Sequence, residues 1–325
     1  MSRVIPFTKM VAAGNDFIIV KTASRLARGS EWLARTWPTV AQVVCDRHYG
    51  IGADGLLVLE PSRIATVKML VLNPDGSEAQ MCGNGARCVA WYVRSKVVEG
   101  RRSPAPASPD SRETIVGASA LGGLGKVKGK QEPVTIETAG GLVTAQVRED
   151  RVQLRMPDPR NLRLDLRVQV DHRPWQLAYV DTGVPHVVAI VDRLDQVDVE
   201  RLGRRLRFHR AFRPRGTNVD FVAEDPRAPS RLRIRTYERG VEGETLACGT
   251  GVTAVAVVHA LREDGAGRSR HRIDVKTKSG ETLTVRLVVL TQGRTRRVTD
   301  VTLEGTVQRI CQGVFPWPSL SHSKS

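Results

Sequence analysis

Two stretches decide how this chain is read: CGNGARCVAWYV at residues 82–93 and CGTGVTAVAVVHALRE at residues 248–263. Each opens on a cysteine, places glycines on either side of one polar residue, and passes into an Ala/Val-rich run. In the first, Ala86, Val89, Ala90 and Val93 fall at helical spacing, the pattern of a helix with an apolar face. The pair predicts two similar lobes, each carrying a glycine loop that runs into a helix. A shorter echo, Asn15-Asp16-Phe17 against Asn218-Val219-Asp220-Phe221, points the same way.

Outward from these anchors the chain alternates short apolar runs with turns. FIIV (17–20) reads as a strand, residues 31–47 as a helix, and HYGIGADG (48–55) as a loop bent at its glycines. LLVLE (56–60) and VKMLVLN (67–73) read as strands. So do VTIET, GLVTAQV, VQLRM, LAYVDTGVPHVVAIV, NVDFVAE, RLRIRTYERG, IDVKT, TLTVRLVVL and VTLEGTVQRI. Residues 100–133 are rich in Pro, Ser, Gly and Lys without periodicity and read as an exposed insertion. The expected division is one lobe of residues 1–133 plus 301–317 with Cys82, another of 134–300 with Cys248, and a loose tail at 318–325.

Composition narrows the function. Hydrophobic residues make up 41% of the 325, enough for packed cores. No signal peptide is apparent at the N-terminus, and no apolar run approaches the roughly 18 residues of a membrane span. A cytoplasmic, non-membrane protein is expected. Five cysteines without CxxC spacing fit neither a disulfide framework nor a zinc site. The net charge of +16 peaks in RLGRRLRFHRAFRPR (201–215). With aromatics at 5% and no nucleic-acid reading module, that stretch reads as solvated surface rather than a nucleic-acid face.

The doubled motif implies a chemistry. A helix start offers unpaired N–H groups and a positive dipole end, which stabilise anions. A cysteine there can have its thiol pKa lowered from about 8.5 to roughly 3.5–7.5, and the same N–H groups can hold a carboxylate. Two such sites facing one carbon could remove a proton from one face and return one to the other. Charge developing on the substrate carboxylate would be stabilised by the two helix ends. Cys82 and Cys248 are therefore the candidate acid and base, while Cys45, Cys88 and Cys311 lack the motif and read as structural.

GNDF (14–17), DRHYGIGADG (46–55), NPDGSEAQMCGNGARC (73–88), GTNVDF (216–221) and YERGVEGETLACGTG (237–251) together resemble the diaminopimelate epimerase family. The resemblance spans most of the chain outside residues 100–133. It implies an α/β fold of two pseudo-symmetric lobes, each a mixed sheet wrapped around a central helix. It also implies interconversion of LL- and meso-2,6-diaminopimelate in lysine and peptidoglycan precursor synthesis, with no cofactor, neither pyridoxal phosphate nor metal, and a homodimer. Cys82 and Cys248 match the catalytic cysteines. Asn15, Asn73 and Asn218 match substrate contacts, as do Glu238 and Arg239. Gly83, Asn84, Gly249 and Thr250 match the loop positions that hold the reacting carboxylate. His186, with Glu238, matches a group that tunes the thiols. Val184 stands where many members carry asparagine, and Gly55 where some carry glutamine. A racemase of histidine, proline or hydroxyproline on the same architecture, or a basic nucleic-acid-binding protein, are the competing readings.

Overall fold

The computed structural model describes residues 3–22, 31–102, 132–225, 228–263, 267–293 and 295–317. The chain builds one pattern twice. In the first half come β1 (Arg3–Ala12), β2 (Asn15–Lys21), α1 (Glu31–Cys45), β3 (Gly55–Glu60), β4 (Val67–Leu72) and β5 (Glu78–Ala79). After them come α2 (Gly83–Arg102), β6 (Val134–Thr138), β7 (Gly141–Arg148) and β8 (Arg151–Arg155). The second half opens with an extra strand, β9 (Arg160–Val170). It continues through β10 (Arg173–Asp181), β11 (Pro185–Ile190), α3 (Val199–Arg207), β12 (Asn218–Asp225), β13 (Ala228–Glu238) and β14 (Gly243–Thr245). Then follow α4 (Gly249–Glu263), β15 (Gly267–Lys276), β16 (Thr282–Gln292) and β17 (Thr295–Thr306). The last strand, β18 (Gln308–Trp317), returns to pair antiparallel with β1, as β9 pairs with β10.

Strand pairing makes the repeat explicit. β1 is antiparallel to β2, β2 parallel to β3, β3 antiparallel to β4, and β4 parallel to β6, which continues antiparallel through β7 to β8. The second half runs identically from β10 through β11, β12, β13, β15 and β16 to β17. β17 also pairs with β8, joining the two sheets.

Each sheet wraps a central helix, α2 in one lobe and α4 in the other. The sequence explains α4: Val252, Ala254, Val255, Ala256, Val257, Val258, Ala260 and Leu261 are all buried, so the helix is apolar around its circumference, as a helix enclosed by sheet must be. α2 buries Ala86, Cys88, Val89 and Ala90 at its start. Helices α1 and α3 cover the outer faces, each over its own smaller apolar cluster.

Two expectations change. Residues 134–155 form β6–β8 and pack on α2, so the Cys82 lobe extends past residue 133; the parallel β4–β6 pairing carries the chain back over that helix. The echo at Asn15 and Asn218 is not a topological repeat. Asn15 opens β2, whose counterpart is β11, whereas Asn218 opens β12, the counterpart of β3. The basic stretch keeps Arg201, Arg204, Arg205, Arg210, Arg213 and Arg215 exposed, as expected of solvated surface, while α3 runs into it, capped by Asp198 and burying Val199, Gly203 and Leu206. Three of its seven arginines meet carboxylates, Arg201 and Arg205 with Asp171 at 2.6 and 3.5 Å and Arg207 with Glu242 at 3.0 Å. Helix α2 takes up residues 100–102 of the expected insertion; the rest of it through residue 131, and the tail at 318–325, lie outside the described residues. Among the described residues no helix is long and apolar enough to cross a membrane.

Candidate active site

Both CGxG loops are helix starts. Gly83 begins α2 and Gly249 begins α4, so Cys82 and Cys248 each stand one residue before a first turn with free N–H groups. The Gly85 N–H donates to Cys82 Sγ at 3.4 Å. A side chain at Gly83 would meet nothing within 4 Å, and one at Gly249 would meet only Leu303. The helix ends are thus open to an incoming group, which is what glycine at these positions permits.

The loops face each other across the lobes. Asn84 Nδ2 donates to Asn15 Oδ1 at 2.6 Å and reaches the Ala247 carbonyl, just ahead of Cys248, at 3.4 Å. Helices α2 and α4 touch. Nearby, the Ala13 N–H donates to Glu281 Oε2 at 3.2 Å, and Gly14 (φ +87°) turns against Leu246 and Ser279. Any Cβ at Gly14 would press on Ser279 and require a backbone conformation that L side chains rarely adopt.

The Cys248 side of the cleft is a hydrogen-bonded cluster. Cys248 Sγ lies 3.3 Å from Thr250 Oγ1, which lies 3.0 Å from His186 Nε2. His186 Nδ1 meets Asp220 Oδ2 at 2.7 Å, and Thr236 Oγ1 donates to Asp220 Oδ1 at 2.8 Å. Asn218 Oδ1 accepts the Arg239 N–H at 2.8 Å. The Arg239 guanidinium reaches the Arg215 carbonyl at 3.4 Å.

Electrostatics tie the two sulfurs together. Burial pushes both thiols up, Cys248 well above the ordinary range. The Gly85 and Asn84 N–H groups pull Cys82 back, as the Thr250 hydroxyl and Gly251 N–H do for Cys248. The carboxyl of Glu238 raises both thiols and so lies within the field of each. Burial raises Glu238 as well. The lowered thiol pKa expected of a helix start is therefore not found; in a cleft this enclosed, desolvation of the thiolate outweighs the dipole and its N–H donors.

Of the residues singled out from sequence, Asn15, Asn84, Asn218, His186, Arg239 and Thr250 join these hydrogen-bonded clusters, Gly83 and Gly249 open the two helices, and the Glu238 carboxyl acts on both thiols. Asn73 stands apart. It is exposed in the turn after β4, and its Nδ2 donates to Ser77 Oγ at 2.9 Å. Three charged residues escaped the sequence reading. Asp54 accepts from Asn15 Nδ2 at 3.1 Å and pairs with Arg47 at 2.7 Å. Arg87 is fully buried and donates to Asn84 Oδ1 at 2.6 Å. Asp220 holds His186. All three sit inside the quoted motifs, and an ionisable side chain embedded in an apolar run was the available signal. Cys45 and Cys88 are core residues, and burial pushes the Cys45 thiol up to about 12. Cys311 is not core: it is exposed on β18.

Known proteins share both the sequence and the architecture. The family model described as diaminopimelate epimerase matches residues 7–106 and 178–293. The diaminopimelate epimerase of Caldanaerobacter subterraneus subsp. tengcongensis is 36% identical over 274 residues, 84% of this chain and 89% of that protein. The enzyme of Aquifex aeolicus is 32% identical, covering 94% of this chain and 96% of its own length. Among solved structures, a hydroxyproline epimerase from Agrobacterium vitis aligns with a TM-score of 0.61 at 17% identity, over 97% of this chain and 93% of that one. A PhzF-family phenazine biosynthesis protein from Bacillus anthracis gives 0.63 at 15%, over 96% and 99%. These distant structures share the two-lobed fold, whereas the closer sequence relatives and the family model carry the assignment: the chain belongs to the diaminopimelate epimerase family.

Proposed function

We propose that this protein interconverts LL- and meso-2,6-diaminopimelate by a two-base reaction, with Cys82 and Cys248 as acid and base and no cofactor. The observation that carries the reading is the Asn84–Ala247 contact, which draws one cysteine-bearing helix start against the other. One thiolate removes the α-proton. The electron pair left on carbon spreads into the carboxylate, held by N–H groups of Gly83, Asn84, Gly249 and Thr250. The opposite thiol supplies a proton to the other face, and the roles reverse in the return direction. Asn15, Asn218, Glu238 and Arg239 orient the ammonium and carboxylate groups of the substrate, Arg239 as partner of the distal carboxylate.

The setting is the cytoplasm, where free thiols stay reduced, and the working form is a homodimer, which sedimentation velocity measures. Incubating the protein with LL-diaminopimelate, proline, hydroxyproline or histidine in deuterated water, and following α-proton exchange by NMR, tests the substrate. Exchange fastest on diaminopimelate is expected. Faster exchange on one of the others reassigns the substrate, and tight salt-dependent duplex binding without any exchange removes the enzymatic reading.

A further inference from the structure

Six of the seven arginines in residues 201–215 are exposed; the seventh, Arg207, turns inward at the end of α3. Its guanidinium fills the space that Gly216 leaves open, where any side chain would strike Nη1. Nε and Nη2 donate to Glu242 Oε1 at 3.1 and 3.0 Å, and Nη1 reaches the Arg215 carbonyl at 3.4 Å. A guanidinium drawn out of water keeps its place only with a counter-charge against it, and Glu242 is that charge.

Glu242 closes the turn between β13 and β14, the turn that carries Glu238 and Arg239. It stands at φ +57°, a left-handed conformation that residues with side chains avoid. Bonds within the turn hold it there: its N–H donates to the Glu238 carbonyl at 2.8 Å, and its Oε1 also accepts the Gly240 N–H at 3.1 Å. Arg239 Nη1 stands on the same Arg215 carbonyl as Arg207 Nη1, and the two lone pairs of that oxygen serve both. Because Glu242 neutralises Arg207, the charge of Arg239 stays available to an anion. We propose that Arg207 is a positioning residue for specificity: through Glu242 and the Arg215 carbonyl it fixes the turn at 238–242, and with it the guanidinium that reads the distal carboxylate. The proposal rests on the reading of Arg239 as partner of that carboxylate.

Other contacts from α3 lead to the same place. Glu200 Oε1 accepts the Glu244 N–H at 2.9 Å, and a Cβ at Gly203 would strike Tyr237. The Cys82 lobe holds its equivalent turn in a parallel way. There α1 takes the place of α3, and the turn between β4 and β5 that of the turn between β13 and β14. Gln42 of α1 donates Nε2 to the Asp75 carbonyl at 2.7 Å, and a Cβ at Gly76 would press on the Pro38 carbonyl. An outer helix pinning the turn is thus common to both lobes. A neutral amide serves beside Asn73, and an ion pair serves beside Arg239.

Two measurements on the full chain test this. Without substrate, NMR follows hydrogen exchange at the Arg239 and Glu242 amides, which donate to Asn218 Oδ1 and the Glu238 carbonyl. Arg207→Met is expected to speed both by about tenfold or more while leaving the Gly76 amide of the other lobe's turn unchanged. With LL-diaminopimelate, KM should rise about tenfold or more and kcat stay within about threefold of wild type, since a distal contact binds substrate and transition state alike. Arg205→Met removes an exposed arginine of the same helix and should match wild type in both. If Arg207→Met fails to fold, Glu242→Asn carries the test: asparagine tolerates a left-handed backbone, and the change shortens the side chain and removes its charge. Unchanged amide exchange, an unchanged KM, a fall in kcat as large as the rise in KM, or an equal effect of Arg205→Met overturns the proposal. Faster amide exchange in a protein whose wild type leaves diaminopimelate untouched keeps Arg207 as the anchor of the turn and removes the substrate reading instead.

Discussion

Replacing Arg87 with methionine should make the protein more stable and less active. Arg87 is 0% exposed, and only one of its nitrogens, Nη2, finds a partner, Asn84 Oδ1 at 2.6 Å. Nε and Nη1 are buried with none among the described residues. Desolvating an ion costs several kcal/mol even after relaxation, and one hydrogen bond from a charged donor returns about 1.5–3 kcal/mol. Methionine has comparable length and no donors to satisfy, so the substitution should stabilise by about 1–3 kcal/mol. At about 2–4 °C per kcal/mol for a chain of this size, thermal unfolding should shift upward by several degrees. Activity should move the other way. Asn84 loses the partner that orients it toward Asn15 and Ala247, and Cys82 loses a neighbouring cation that favours its thiolate. A loss of about 1.4–2.8 kcal/mol in the transition state is a 10- to 100-fold fall in kcat/KM. Differential scanning calorimetry and a coupled epimerisation assay on Arg87→Met, with Arg87→Lys as the charge-retaining control, measure both. A lower melting temperature with unchanged turnover would refute the reasoning, because the guanidinium would then be a structural brace.

Cys82→Ala and Cys248→Ala should each cut turnover by at least about 10²–10⁴-fold with unchanged far-UV circular dichroism; near-normal turnover in either variant removes the two-base scheme. Peroxide should inactivate, with activity restored by thiol, and Cys311→Ser should inactivate at the wild-type rate because its exposed sulfur lies outside the cleft; protection by that substitution would place the sensitive thiol elsewhere. Burial alone would raise the Asp16 carboxyl, but Arg47 and Lys9, at 2.8 and 3.0 Å, hold it below the usual carboxylate range. A depressed folded-state pKa contributes stability above the unfolded value near 4 and loses it as pH falls through the folded value. Asp16→Asn should therefore be less stable than wild type in urea at pH 7, with the gap closing below about pH 4; a gap that persists in acid points to packing instead.

The features legible in sequence were those written into short local patterns. Glycine loops opening on apolar helical runs located α2 and α4, and alternating β-branched runs located most strands. Amphipathic α3 was hidden because six of its nine residues are polar or glycine, and its apolar face rests on Val199, Leu202 and Leu206 alone. The lobe boundary was hidden for a different reason. Whether β6 pairs with β4 or with a strand further on is a long-range choice, decided by which helix needs covering. Site residues contributed by loops that face across the lobes, such as Asn84 and Ala247, likewise meet only through the tertiary fold. Asp220 was in plain view within GTNVDF, yet its partner His186 belongs to another strand, and only the parallel β11–β12 register brings the two together.

The two half-sites are alike in backbone and unlike in charge. Five residues after Cys82 stands buried Arg87; five after Cys248 stands Thr253, whose hydroxyl bonds back to the Gly249 carbonyl of its own helix. Cys82 is backed by a guanidinium, and Cys248 by an imidazole–carboxylate pair. A racemase whose substrate and product are mirror images has cause to treat its two faces equally. A substrate with a second, unchanging stereocentre does not ask for that symmetry. Its distal end is held the same way in both directions, so each thiol always meets the same face of the reacting carbon, in the company of the same neighbours. Duplication can then supply two helix starts in the right relation, while the groups behind each sulfur diverge without penalty. The polar pair at His186 and Asp220 on β11 and β12, opposite the apolar pair at Phe17 and Leu57 on the equivalent β2 and β3, is the form such divergence takes here.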